Sequence, residues 1–83
     1  MLTPQGPASY RCTQLSALAT QLELGGYAPI TIRSENELAR YQRAASILIL
    51  YRNGTVLMQG SDLDTPRRLF ARLVEADQQS LPF

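Results

Sequence analysis

A chain of 83 residues makes one domain with a modest core and little margin of stability. A hydrophobic content of 45% excludes a disordered chain, and a formal net charge of +1 excludes a strong pull toward nucleic acid or anionic membrane from charge alone. One cysteine, Cys12, and no histidine exclude a disulfide scaffold, a zinc set and any nucleophile–imidazole triad. The eight basic residues are all Arg, with no Lys. That fits a preference for the guanidinium fork, which suits phosphate and carboxylate, and it equally fits a GC-rich codon bias. The opening MLTPQGPASY lacks the basic and apolar regions of a signal peptide, and no apolar run approaches the roughly 18–20 residues of a membrane span. The expected setting is cytoplasmic, without a membrane.

The chain predicts a flexible tail over 1–9, carrying Pro4, Gly6 and Pro7, then a single α+β domain over 10–79. A first helix is expected over 11–24, capped by Ser9 or Thr13, with Leu15, Leu18 and Leu22 as its apolar stripe. Gly25-Gly26 ends it, one glycine taking the left-handed position. A short strand follows over 30–33, with Pro29 at its start. Ser34 and Glu37 have capping-box spacing, which predicts a helix over 35–43 with Leu38 and Tyr41 on one side and Arg40 and Arg43 on another. Two β-rich runs come next, then a turn through Gly60, Asp62 and Asp64. With Thr65 as its cap and Pro66 at its first position, a last helix is expected over 66–78 that buries Leu69, Phe70, Leu73 and Val74. Residues 80–83 are expected to fray. The fold class is therefore a two-layer α+β sandwich: a small antiparallel sheet of about three strands with helices on one face, in the order α-β-(α)-β-β-α.

The richest stretch is Ser46 to Gly60, where Asn53-Gly54 joins SILILY to TVLMQG as a hairpin signal. A two-residue type I′ turn there pairs Leu50 with Leu57 and Ile49 with Met58. Side-chain alternation then gives a core face of Ile47, Ile49, Tyr51, Val56 and Met58. The opposite face carries Leu48, Leu50 and Leu57, rimmed by Arg52, Thr55 and Gln59. An apolar patch with a polar rim marks an interaction site, unless a tail or neighbouring element covers it.

Arg67 and Arg68 open the last helix, where the macrodipole disfavours cations. Asp62 and Asp64 would neutralise them from within, or a bound phosphate from without. No catalytic set is apparent. Asp62 and Asp64 fit capping better than acid–base work, Gly25-Gly26 lacks phosphate-loop spacing, and Cys12 fits a buried, inert thiol. The chain is expected to be no enzyme and to hold neither metal nor cofactor.

The run Tyr51-Arg52-Asn53-Gly54-Thr55-Val56-Leu57-Met58-Gln59-Gly60, preceded by Ile47-Leu48-Ile49-Leu50, resembles the hairpin of the N-terminal domain of ribonuclease HIII. That domain is a half-repeat of the TATA-binding-protein-like fold and helps hold RNA/DNA hybrids. The resemblance covers about fifteen residues and implies a curved sheet backed by helices, with Arg52, Thr55 and Gln59 on its open face. The 83 residues depart from the family in showing no catalytic domain among them, in the predicted helix over 35–43 and in having one basic residue in the hairpin. The order helix, three strands, helix also resembles a double-stranded RNA-binding domain, with Arg67-Arg68 near that family's basic cluster but without its lysine-rich signature.

The sequence thus points to a small nucleic-acid-binding accessory module, for a duplex or an RNA/DNA hybrid. Leu48, Leu50 and Leu57 would meet bases or sugars, with Arg52, Thr55, Gln59, Arg67 and Arg68 around them. The alternative is a protein-interaction module using the same face, either as a homodimer or as an adaptor or regulatory inhibitor of a larger protein.

Overall fold

The computed structural model describes residues 1–79. They form one six-stranded antiparallel sheet and two helices: β1 (Leu2–Gly6), β2 (Ser9–Cys12), α1 (Leu15–Leu24), β3 (Ala28–Ile30), β4 (Glu37–Arg43), β5 (Ser46–Tyr51), β6 (Thr55–Gly60) and α2 (Asp64–Gln79). The strand order is β1-β2-β6-β5-β4-β3. The class is α+β, but the expected three-stranded sheet in the order α-β-(α)-β-β-α is overturned. The frayed segment expected over 80–83 lies outside the described residues.

Two additions account for most of the enlargement. Residues 1–9, expected as a tail, contribute β1 and the start of β2, and β2 pairs with β6 through Tyr10↔Val56. The inward set is just Leu2, Tyr10 and Cys12, all buried, so the strands look polar in sequence. Arg67 of α2 secures the intervening turn: its Nε and Nη2 donate to the Pro7 carbonyl at 3.1 and 2.8 Å.

The second addition is β4, where a helix was expected. Ser34 and Glu37 do make local bonds, but they build a turn. The Ser34 hydroxyl accepts from the Asn36 N–H, and the Ser34 carbonyl accepts from the Glu37 N–H. The Glu37 carboxylate takes the Arg33 N–H and the Arg40 guanidinium. The following residues then alternate, Ala39 and Tyr41 inward against Arg40 and Gln42 outward, and β4 satisfies the backbone edge that β5 would otherwise expose. Local propensity yields here to the ladder. The β4–β5 turn is Ala44-Ala45, with Ala44 at φ 52, so no Gly or Asn marks it.

Helix α1 starts at Leu15, after Gln14, which makes no side-chain cap; neither Ser9 nor Thr13 serves. Its end follows expectation. Gly26 is left-handed at φ 88, and the Gly26 and Tyr27 N–H groups close back on the Glu23 and Leu22 carbonyls. This Schellman arrangement drives Tyr27 into the core beside Leu22. Asp62, not Thr65, caps α2: its Oδ1 accepts from the N–H groups of Asp64 and Thr65, and its Oδ2 from the Thr65 hydroxyl. Those bonds, the Thr65 hydroxyl foremost, hold the Asp62 carboxyl below the usual range. Leu18, Leu22 and Phe70 pack on Leu48, Leu50, Val56 and Met58, and Phe70 meets Tyr10 edge-to-face with ring centroids 4.8 Å apart. Both helices bury their apolar sides on one face of the sheet. The edge strands β1 and β3 carry Pro4 and Pro29 in their middles, and β1 has an irregularity in pairing between Pro4 and Gly6.

Candidate functional site

The hairpin turn decides which residues the sheet leaves open. The Gly54 N–H donates to the Tyr51 carbonyl at 3.0 Å, and Gly54 sits at φ 97. The loop is thus three residues, Arg52-Asn53-Gly54, not the two of a type I′ turn. Glycine is required here for a second reason: a Cβ would lie 2.8 Å from the Cys12 carbonyl oxygen. The extra loop residue shifts the register by one. Leu50 pairs with Val56, Leu48 with Met58, and Ile49 with Leu57. A one-residue shift exchanges faces on one strand relative to the other.

The faces inferred from the two-residue turn are corrected accordingly. Leu48 and Leu50 are 0% exposed beneath the helices and cannot meet a partner. Ile47, Ile49 and Tyr51, assigned to the core, alternate with them and lie on the uncovered face. Leu57 stays there, half-buried, and so do Thr55 and Gln59, which share its strand and parity. The centre of this face is Ile49, 1% exposed although no helix lies over it, with Arg40 and Leu57 as its register partners on either side.

Polar groups frame that apolar band. Arg40 is closely hydrogen-bonded to Glu37, and their side chains are only 11% and 3% exposed. The Arg40 guanidinium holds the Glu37 carboxyl below the usual range. This pair is neutral as a unit and presents no free charge. At the hairpin end, β2 brings Arg11 opposite Thr55, and Arg11 and Arg52 line one shallow depression of about 360 Å³ with Asn53 and Gly54. Arg52 is fixed by its Nε donating to the Glu35 carbonyl at 3.0 Å. Sequence reasoning missed Arg11, because its strand was read as tail and helix; its alternation with Tyr10 and Cys12 was the available signal.

Arg67 and Arg68 do not join this face. Arg67 clamps the Pro7 carbonyl and approaches Asp64 at 4.0 Å, so its neutralisation is internal, in part by a backbone oxygen. Arg68 points elsewhere, into a cleft on the helix side of the sheet with Arg43 and Arg72. The N–H groups at the start of α2 are taken by Asp62, which removes them from any phosphate site. Among the described residues, no group of His, Cys, Asp and Glu side chains could hold a metal ion, and no helix is long and apolar enough to cross a membrane.

Comparison of the chain with protein-family models, with curated proteins and with solved structures finds no match.

Proposed function

We propose that this protein is a non-catalytic accessory module that receives a nucleic-acid duplex or RNA/DNA hybrid on the face of the sheet left bare by its helices. The observation that carries the reading is the composition of that face. Ile47, Leu57 and Tyr51 form an apolar band around the enclosed Ile49, and Arg11, Arg52, Thr55 and Gln59 surround it with donors. Apolar side chains of this kind suit the sugar edges of a minor groove, and guanidinium and hydroxyl donors suit phosphate oxygens and 2′-hydroxyls. The hairpin's resemblance to the N-terminal domain of ribonuclease HIII supports the same reading, since it implies a sheet backed by helices with Thr55 and Gln59 on the open side.

A second reading, a protein partner or a second copy on the same face, is favoured by one observation: the net charge is +1, and the Glu37–Arg40 pair leaves Arg11 and Arg52 as the cations of the face. Salt separates the two. Fluorescence anisotropy with labelled DNA duplex, RNA duplex and RNA/DNA hybrid at about 50 and 200 mM salt covers a range over which even two or three phosphate contacts weaken binding by about 10- to 40-fold. The expected result is saturable binding that weakens with salt and is lost in Arg11→Ala/Arg52→Ala. Absence of binding to all three duplexes at the lower salt overturns the proposal and leaves the protein-partner reading.

A further inference from the structure

On the opposite side of the sheet, the start of α2 and the end of β4 enclose a cleft of about 190 Å³. Its walls include Tyr27, Thr65, Leu69 and three arginines: Arg43, Arg68 and Arg72. Arg68 and Arg72 stand one turn apart on α2, a like-charged spacing that by itself disfavours the helix. Arg43 joins them from β4, lying against the bare backbone of Gly26, where a Cβ would come within 3.6 Å of its Nε. Among the described residues the ion pairs are Arg40–Glu37 and Arg67–Asp64, so none of these three guanidinium groups has a carboxylate within 4.0 Å. Asp62 acts on Arg68 through its charge, while its oxygens are committed to the helix cap.

The second observation is independent of charge. Tyr27 is 3% exposed, and its hydroxyl has no hydrogen-bond partner. Burial raises its pKa, so the phenol keeps its proton and remains a donor. Ser46 is near enough to act on that pKa but is not at bonding geometry; its own hydroxyl donates to the Asp62 carbonyl at 2.6 Å. The hydroxyl itself is closed off from the cleft, so what a ligand there answers is the unpaired charge: an anion would accept from several guanidinium N–H groups, with Tyr27 in its wall.

We propose that this cleft is a binding site for a phosphate group, borne by inorganic phosphate or a small phosphomonoester. Phosphate matches the surroundings better than a carboxylate, because it offers more acceptor oxygens and close to two negative charges against three cations. The volume admits the phosphoryl group and a few further atoms but falls short of the roughly 300–1,000 Å³ typical of larger ligands. The site and the bare sheet face lie on opposite sides of the sheet, so each stands or falls alone.

The test is an amide NMR titration of the full chain with inorganic phosphate and with glycerol 3-phosphate, at ionic strength held constant with chloride and with glycerol as the blank. Saturable shifts are expected at Gly25, Gly26, Tyr27, Thr65 and Arg68. The ligand with the higher affinity identifies whether free phosphate or an ester is preferred. Arg68→Gln and Arg43→Gln should each weaken binding at least tenfold, while Arg33→Gln, remote from the cleft, should not. Arg68→Gln is the decisive variant, because it removes a like-charged neighbour of Arg72, so the urea midpoint should hold or rise while phosphate affinity falls. Shifts that grow linearly and spread over all arginines, or Arg43→Gln and Arg68→Gln proteins that bind phosphate as tightly as the parent, would overturn the proposal.

Discussion

Truncating Leu50 and Leu57 to alanine, each in its own variant, tests the three-residue loop on which the face assignment depends. With Leu50 opposite Val56, its side chain is wholly enclosed between sheet and helices. Leu50→Ala therefore costs the transfer term and leaves a cavity, about 2–5 kcal/mol in all. Leu57 lies half-buried on the uncovered face. Three carbons at about 0.8 kcal/mol each, halved for partial burial, put Leu57→Ala near 1 kcal/mol. The whole domain has roughly 4–12 kcal/mol to lose. Leu50→Ala should thus lower Tm by about 10 °C or more and Leu57→Ala by about 4–8 °C. Thermal melts followed by far-UV circular dichroism read both Tm values, urea melts give the free energies, and equal m-values license the comparison. A two-residue turn would make these leucines cross-strand partners on one face. Equal losses, or a larger loss at Leu57, would therefore refute the register.

Three further outcomes follow from single positions. Ala44 holds φ 52, which costs a residue with a Cβ about 1–2 kcal/mol; Ala44→Gly relieves that strain against an unfolded-state entropy of about 0.4–1 kcal/mol, and should raise the urea midpoint by the difference, with an unchanged or lowered midpoint refuting it. Gly60 sits at φ 107 with a would-be Cβ 2.0 Å from the Ala45 carbonyl oxygen. Gly60→Ala should cost more than about 2 kcal/mol from strain and a disrupted ladder bond together, and a near-parental melt would contradict the backbone there. Glu37 and Asp62 have lowered pKa values, so their stabilising effect is complete above about pH 5, where unfolded carboxyls are ionised, and is lost as pH falls through the folded values. The acid limb of the stability profile should flatten in Glu37→Gln/Asp62→Asn, and an unaltered limb would count against both pairings.

What was legible in the chain was what local chemistry decides by itself. The stripe Leu15, Leu18, Leu22 made α1, and Gly26 ended it in the left-handed position. Pro66 and the apolar set around Phe70 marked α2. Asn53-Gly54 marked a hairpin but not its loop length, because Gly54 serves equally well at the last position of a three-residue loop. That single residue moved Leu48 and Leu50 into the core and Ile47 and Ile49 out of it. The strand β4 was hidden because Ser34 and Glu37 make their bonds in a turn as readily as in a helix cap. The pairing of β2 with β6 joins residues about 45 apart, a distance no periodicity in the sequence reports. The phosphate cleft was invisible for the same reason: Tyr27, Arg43 and Arg68 meet only after the sheet has closed.

The prolines of the outer strands bear on how this protein can be approached. Pro4 and Pro29 each remove an amide donor from the middle of a border strand, and the irregular pairing after Pro4 bends one border further. An incoming extended peptide, or the rim of another copy, finds no regular row of donors to zip onto. Growth of the sheet into an end-to-end polymer is blocked at both flanks. A visitor must come down broadside, onto side chains instead of backbone, and side chains are where one visitor can be told from another.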